Sequence, residues 1–285
     1  MNSAKAAEII SSLGISDLQI SDSTEVQFLA QGHFCLYRIC SRKPLAVKVI
    51  PDSEYASAEF SGLKLLKERN VTVPELYGMA EKNGIYYIIM EYLEEKGCQD
   101  ESELYSVLRN LYSNESDFWG FEQSNFIGPL PQPNGKRNSF SEHFWNDRLA
   151  FQFNRAESAG LLKADFRDRL AKVFDLCVRK WKLDALKPRL IHGDLWTGNI
   201  LYCRGSAYLI DPSVSYGNPE QDIAMLHLFG SPGRSLTSKI SDEFGCGRGF
   251  QERIYFWQIY PLLVHLNLFG MSYFRSLNSA LDYYL

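Results

Sequence analysis

Between residues 190 and 212 the chain reads Leu190-Ile191-His192-Gly193-Asp194-Leu195-Trp196-Thr197-Gly198-Asn199-Ile200-Leu201, then Tyr208-Leu209-Ile210-Asp211-Pro212. This stretch constrains the fold more than any other. An apolar run ends in a tight loop that holds an acid. An amide follows five positions after the acid, and a second acid ends the next apolar run. Ile200 to Cys203, the turn Arg204-Gly205-Ser206 and Ala207 to Ile210 read as a hairpin. Such a hairpin sets Asn199 and Asp211 at neighbouring ends, where both can reach one metal ion. Asp194 can accept a proton and orient an attacking oxygen. Asn199 and Asp211 offer oxygens to Mg²⁺, which prefers oxygen ligands and keeps several waters. Transfer of a phosphoryl group from ATP is mostly positioning and charge neutralisation, and it requires such a set. His192 reads as a residue that orders the loop by hydrogen bonding, with Asp194 as the base.

Upstream, Ala4 to Leu13 has the spacing of a short amphipathic helix ended by Gly14. Strand-like runs follow at Glu25 to Ala30 and Phe34 to Cys40, separated by Gln31-Gly32-His33, a turn able to cover phosphates. Leu45 to Ile50 is a β-branched strand with a lone Lys48. Two readings fit that lysine: a solvent-facing residue on an edge strand, or a cation aimed at nucleotide phosphates. The next segment favours the second. Tyr55 to Arg69 carries an apolar stripe at helical spacing, with Glu59 near its start. Strand, Lys, helix, Glu is the order in which protein-kinase-like folds pair a phosphate lysine with a helix glutamate.

Leu76 to Ala80 and Ile85 to Met90 are strands joined at Asn83-Gly84. The chain to this point is therefore a small antiparallel sheet plus one helix. Glu91-Tyr92-Leu93 leaves the sheet, and its backbone can present unpaired groups to an adenine edge, with Met90 near the floor of that pocket. Glu94 to Gly97 is a polar linker and the expected lobe boundary. The fold expected is α+β and bilobal. Residues 1–93 form a small lobe of antiparallel sheet and helix, and residues 94–285 a larger, mainly helical lobe.

In the second lobe, helices are expected at Ser102 to Tyr112, Phe140 to Ala156 and Phe166 to Trp181, then Glu220 to Phe229, Arg234 to Phe244, Phe250 to Phe269 and Met271 to Tyr284. Asn218-Pro219-Glu220 is a strong helix start, and Glu220 and Asp222 read as carboxylates that brace the loop. Asn114 to Asn138 is a long Gly- and Pro-rich loop whose aromatics argue for order and function. Arg148 and Gln152 are candidates for reaching the substrate side.

Composition excludes several classes. A formal net charge of −4 argues against a nucleic-acid partner. The six cysteines form no C-x-x-C pair, which argues against zinc and fits reduced thiols in a cytoplasmic protein. The first residues lack the apolar core of a signal peptide, and no apolar run approaches the length of a membrane span. Gly193 stands before Asp194, and the chain passes quickly from Asp211 into a new helix with no A-P-E segment. The expected acceptor is therefore a small molecule.

His192-Gly193-Asp194-Leu195-Trp196-Thr197-Gly198-Asn199 resembles the H-G-D-L-W-x-G-N motif of the fructosamine kinase, or ketosamine 3-kinase, family. Trp196 separates it from aminoglycoside phosphotransferases and choline kinases, which share only H-x-D-x₄-N. Ile210 to Ser213, Tyr216 to Met225 and Leu228-Phe229-Gly230 are similar to the family as well. So are Gly120-Phe121, Ile127-Gly128 and Gln132-Pro133-Asn134 in the middle loop, Glu59 with Gly62-Leu63, and Leu268-Phe269-Gly270. The resemblance implies an aminoglycoside-phosphotransferase-like kinase fold. It implies ATP- and Mg²⁺-dependent phosphorylation of the 3-hydroxyl of ketosamines, free or on glycated amines and proteins. It makes Asp194 the proton acceptor, Asn199 and Asp211 metal ligands, Lys48 the phosphate lysine and Glu91-Tyr92-Leu93 the nucleotide hinge, with Trp196 lining the sugar pocket. One departure stands out. The phosphate loop, Ala30 to Cys35, holds a single glycine, Gly32, where the family has a Gly pair. A catalytically weak ATP-binding module and an aminoglycoside- or choline-type kinase are the alternatives. Cys35 in that loop reads either as a redox-active thiol or as a buried strand cysteine.

Overall fold

Leu45–Ile50 alternates its side chains between two apolar layers, and this strand carries the first half of the molecule. In a computed structural model, which describes residues 1–12 (the side chain of Ser3 excepted), 24–94, 100–230 and 232–285, the chain begins with helix α1 (Ser3–Ser12) and strands β1 (Val26–Gln31), β2 (Cys35–Ile39) and β3 (Leu45–Ile50). Helix α2 (Ser53–Glu68) and strands β4 (Leu76–Lys82) and β5 (Ile85–Glu91) follow. The expected helix stop at Leu13-Gly14 and the linker positions 95–97 lie outside the described residues. The five strands form one antiparallel sheet in the order β1-β2-β3-β5-β4. Leu45 and Val47 face a core with Ala6, Ile9 and Ile10 of α1. Ala46 and Ile50 face the other core, with Ala56 of α2 and Met90. Lys48 falls on this second face by the two-residue period. It pairs in register with Leu36 on one side and Ile88 on the other, so β3 is central and the edge-strand reading of Lys48 fails.

Helix α2 starts where Asp52 accepts a hydrogen bond from the Tyr55 N–H at 2.8 Å. Its buried positions are Ala56, Glu59, Gly62, Leu63 and Leu66, one face at helical spacing. Glu59 is thus a carboxylate set within an apolar stripe.

The rest of the chain continues with α3 (Glu101–Tyr112), the short strands β6 (Asn125–Ile127) and β7 (Leu130–Gln132), α4 (Phe140–Glu142), a π-helical segment (His143–Leu149) and α5 (Ala150–Ser158). Next come α6 (Ala164–Trp181), β8 (Arg189–Ile191), β9 (Ile200–Cys203), β10 (Ser206–Leu209), β11 (Ser215–Gly217), α7 (Glu220–Leu228), α8 (Arg234–Phe244), α9 (Phe250–Phe269) and α10 (Phe274–Asp282). The chain divides into two compact units: Met1–Asp100 with Ile200–Asp211, and Glu101–Asn199 with Pro212–Leu285. A single cut after Leu93 does not describe this division. The β9–β10 hairpin groups with the first unit, where the Leu209 N–H donates to the Thr72 carbonyl at 3.0 Å.

In the second unit the expected long loop is ordered. Within it β6 pairs with β7, and isolated bridges join Glu115 to Arg189, Trp119 to Arg137 and Gly120 to Tyr216. The expected Phe140–Ala156 helix has a π-helical middle. That segment buries His143, Asp147 and Arg148, polar groups that a regular amphipathic reading does not place inside. Helix α9 is apolar on nearly every side and continuous through Pro261, as suits a central core helix. Asn218 caps α7 as expected, its side-chain oxygen accepting from the Glu220 N–H at 2.9 Å. Among the described residues no helix is long and apolar enough to cross a membrane.

Helices α7, α8 and α9 meet at Glu220, a wholly buried carboxylate. Its oxygens accept from Arg253 Nε (2.8 Å), Arg253 Nη2 (2.7 Å), Trp257 Nε1 (2.7 Å) and Ser241 Oγ (2.7 Å). Replacing Arg253 by Met strands that charge. The expected cost is about 3–5 kcal/mol in urea unfolding, with part of it recovered in the Glu220→Gln/Arg253→Met double variant. A loss of under about 1 kcal/mol would show that the pair does not hold these helices.

Candidate active site

The first unit builds its part of the site around Lys48. Lys48 Nζ lies 2.7 Å from Glu59 Oε1 and 3.0 Å from Asp211 Oδ1. Strand β3 fixes the lysine, α2 brings the glutamate, and the segment after β10 brings Asp211. Asp211 adopts a left-handed backbone, φ +53°, which Asp tolerates better than most residues. Its carboxylate is about half exposed, whereas Glu59 is buried. Burial opposes the charge on Lys48, but the two carboxylates outweigh it and hold the ammonium's pKa above its ordinary value. Burial raises the Glu59 carboxyl, with Lys48 pulling against it. Lys48 is therefore a fixed cation whose second partner, Asp211, remains about half open to solvent.

The other predicted nucleotide residues share this unit. Met90 lies on the same sheet face as Ala46, its register partner. The hinge differs from expectation. The Glu91 N–H donates to the Glu75 carbonyl at 2.8 Å and the Tyr92 N–H to Pro44 at 3.1 Å. The Glu91 side chain accepts from Arg204 at 2.5 Å. Leu93 is the first residue past the sheet whose N–H is outside these bonds. Gly32 sits at the exposed tip of the β1–β2 turn, where a Cβ would meet nothing within 4 Å. Cys35 opens β2 and is half-buried, not enclosed as a core thiol.

The second unit carries the loop of Asp194. Strand β8 delivers it, and Asp222 of α7 catches it. The His192 and Gly193 N–H groups each donate to Asp222 at 2.8 Å, and the Ser213 N–H donates to the His192 carbonyl at 2.8 Å. The Asp194 N–H donates to His192 Nδ1 at 3.3 Å. An imidazole nitrogen that accepts a backbone N–H is not available to take a substrate proton, so His192 orders the loop. Gly193 has φ +82°, and a Cβ there would collide with the Ser213 carbonyl oxygen, so both backbone angle and space demand glycine. Asn199 Nδ2 donates to the Asp194 carbonyl at 2.8 Å and to its carboxylate Oδ2 at 3.2 Å. With its amide nitrogen so used, Asn199 presents its side-chain oxygen as an acceptor suited to a hard cation. Among the described residues there is no cluster of three or more His, Cys, Asp or Glu.

Asp222 is wholly enclosed. Burial raises its carboxyl to about 6, while the two loop amides and the Tyr112 hydroxyl, 3.1 Å away, work to keep it ionised. Trp196, by contrast, is exposed, and a Cβ on Gly198 would strike its ring.

Tyr112 and Asn125 had no sequence signal, whereas the middle-loop residues Gln132 and Asn134, and Arg148, did. Tyr112 lies 110 positions from Asp222. The middle loop hangs on the segment after Asp211. Asn125 Nδ2 donates to the Val214 carbonyl at 2.8 Å, and Ser213 Oγ donates to the Phe126 carbonyl at 2.5 Å. Gln132 accepts from the Tyr260 hydroxyl at 2.6 Å, and Arg148 donates to the Pro133 carbonyl and to Asn134 at 2.7 Å each. Gln132, Arg148, Gly193 and Tyr260, with Ile191, Met225, Trp257 and Pro261, line a small and mainly apolar cavity beside the loop. Arg148 is thus on the loop's side of the fold as a structural donor, while Gln152 bonds Asn267 instead.

A sheet with a central Lys–Glu pair, and a helical unit with an Asp loop anchored from below, define a protein-kinase-like phosphotransferase. Comparison with known proteins agrees. Residues 19–285 match the fructosamine kinase family profile. A probable ketoamine kinase of Enterococcus faecium is 34% identical over 254 residues, covering 86% of this chain and 90% of that protein. The crystal structure of a putative fructosamine-3-kinase from Thermobifida fusca superposes with a TM-score of 0.82 at 27% identity, covering 99% of this chain and 97% of that one. A thermostable mutant of an aminoglycoside phosphotransferase, solved as a ternary complex with AMP-PNP and hygromycin B, shares the fold with a TM-score of 0.60 at 15% identity, covering 91% of this chain and 93% of that one. The chain belongs to the fructosamine kinase family.

Two variants test the loop. Asp194→Asn is expected to lower kcat by about 10³-fold or more with nucleotide affinity kept; a near-wild-type rate would remove Asp194 as the base. Tyr112→Phe removes one donor to ionised Asp222, so the Asp222 carboxyl should rise further. Protonation then reaches it at higher pH, so the loss of kcat should be larger near about pH 6 than near about pH 8. A pH–rate profile superimposable on wild type would show that the hydroxyl does not support the anchor.

Proposed function

We propose that this chain is a ketosamine kinase that transfers the γ-phosphoryl group of ATP to a sugar hydroxyl, the 3-hydroxyl of fructosamine- or ribulosamine-type adducts, in the removal of glycation. The observation that carries this reading is the loop of Asp194. Its carboxylate is oriented by the Asn199 amide, and its backbone is held by a buried carboxylate, with a tryptophan two positions on. Asp194 accepts the proton of the attacking hydroxyl. Lys48, held by Glu59, meets the α- and β-phosphates. Adenine rests on the Ala46–Met90 face, with the Leu93 N–H as its backbone donor. Oxygens of Asn199 and Asp211 hold Mg²⁺, which neutralises phosphate charge when bound. The exposed indole of Trp196 offers an apolar face to the carbon side of a polyol. The passage from Asp211 to the start of α7 at Glu220 holds only β11 and its flanks, which supports a small acceptor over a docked peptide segment. An ATP-dependent reaction of this kind belongs in the cytoplasm, where ATP is available.

A second reading, a catalytically weak nucleotide-binding module, rests on the single glycine of the β1–β2 turn. One acceptor panel separates the readings. Fructosyl-lysine, ribulosyl-lysine, an aminoglycoside and choline are each incubated with Mg²⁺ and ATP, and the product is mapped by phosphorus NMR. Phosphorylation of the ketosamines at the 3-hydroxyl is expected. Turnover of only the aminoglycoside or choline would overturn the acceptor, and bound ATP without any product would favour the second reading.

A further inference from the structure

The β1–β2 turn lacks the glycines that let a phosphate-covering loop lay its backbone N–H groups on a nucleotide, yet it sits beside Lys48. Gln31 pairs with Cys35, which leaves Gly32, His33 and Phe34 as the turn. Phe34 is half-buried on the α2 face of the sheet and meets the ring of Tyr55 edge-on, with centroids 4.5 Å apart. Its ring lies 6.0 Å from Lys48 Nζ. The His33 ring lies 4.3 Å from Phe34 and 5.5 Å from Tyr55 and stays exposed. Phe34 therefore pins the turn, and the imidazole is carried above it within the field of Lys48. Partial burial and then the Lys48 charge hold His33 below its ordinary pKa.

The groups around His33 are Tyr55 from α2 and Lys48 from β3, with Glu59 and Asp211 behind the lysine. Without ligand, the Lys48 ammonium disfavours an imidazolium at His33. A polyphosphate held by Lys48 brings negative charge that offsets the lysine's, so the field that disfavours an imidazolium at His33 is removed. A protonated imidazole can then donate a charge-assisted hydrogen bond to a phosphate oxygen, which a glycine-poor backbone offers less readily.

We propose that His33 is a phosphate-binding residue whose imidazole, protonated in the nucleotide complex, takes the place of glycine-loop amides in this chain. The proposal rests on the reading that Lys48 binds the phosphates of ATP. Its consequence is a nucleotide affinity that strengthens as pH falls through the histidine range and loses this contribution as pH rises.

The test is isothermal titration of the purified protein with Mg²⁺–ADP near about pH 6 and about pH 8.5, for wild type, His33→Asn and His33→Lys. The titration of ADP itself is common to all three proteins and cancels in their ratios. His33→Asn is expected to bind about 3–10-fold more weakly at the lower pH and within about 2-fold of wild type at the higher one. His33→Lys should keep tight binding at both. Wild type should take up more protons on binding than His33→Asn, read from heats in buffers of different ionisation enthalpy. Equal affinity of wild type and His33→Asn at both pH values would overturn the proposal while leaving the ATP reading intact. An equal loss at both pH values would also overturn it, in favour of neutral packing by the turn. Absence of Mg²⁺–ADP binding by wild type would overturn it together with the ATP reading.

Discussion

Two backbone N–H groups on one buried carboxylate hold the loop of Asp194 in shape. The amides of His192 and Gly193 both point at Asp222, and neither helix nor strand satisfies them otherwise. A loop bent this tightly leaves donors without ladder partners, and inside a protein such donors must be paired. Asp222 does this from the first turn of α7. That helix is fixed in turn, because Glu220, two positions earlier, is locked by Arg253 and Trp257 of α9. The order of dependence runs from the core helix α9, through a buried ion pair, to the loop amides and then to the Asp194 carboxylate. A buried ion pair contributes little to net stability compared with an apolar replacement, but it fixes register. Here the register it fixes is that of α7 against α9.

The first unit solves a different problem, which is how to hold a lysine in the middle of a sheet. A central strand has no solvent on its flanks, so the ammonium must find carboxylates. Glu59 is supplied by the helix that covers the same sheet face, and Asp211 by the segment that follows the β9–β10 hairpin. The hairpin belongs with the sheet and not with the helices on either side of it in sequence. Its Leu209 bonds Thr72, and Asp211 bonds Lys48. A boundary drawn by reading along the chain misses such an excursion, because nothing local in Ile200 to Leu209 distinguishes a hairpin that stays from one that crosses over.

What was legible in the sequence was local chemistry with a short period. Strand β3 came out residue for residue, because β-branched residues and a preceding Pro turn leave it no other form, and α8 and α9 did so because glycines bracket them. The pairing of Lys48 with Glu59, and the setting of Asp194 and Asn199 in one loop, were readable from order and residue type. Three things were not. The bracing of the loop by Asp222 was readable, but the further partner of that carboxylate, the Tyr112 hydroxyl of α3, lies more than a hundred positions away. The π-helical stretch at His143–Leu149 has no counterpart in the apolar pattern, which does not foretell that His143, Asp147 and Arg148 are buried there. The hinge amides of Glu91 and Tyr92 are consumed by Glu75 and Pro44, a pairing set by the neighbouring strands and not by the hinge residues themselves.

Gly193 shows what this arrangement does for catalysis. In protein kinases an arginine in this place ties the loop to a phosphorylated segment, so the base is positioned only after a signal. Here the position carries no side chain. Its N–H goes to Asp222, and its Cα lies against the Ser213 carbonyl, so close that no Cβ fits. Ser213 is itself bonded to the His192 carbonyl and, through its hydroxyl, to Phe126 of the middle loop. Each of these contacts is between groups that do not titrate or turn over near neutral pH, apart from Asp222. The backbone of the Asp194 loop therefore rests on these hydrogen bonds and on the ionisation of one buried acid. A loop built this way takes its shape when its own unit folds, and its glycine leaves no side chain through which a phosphorylated segment could act.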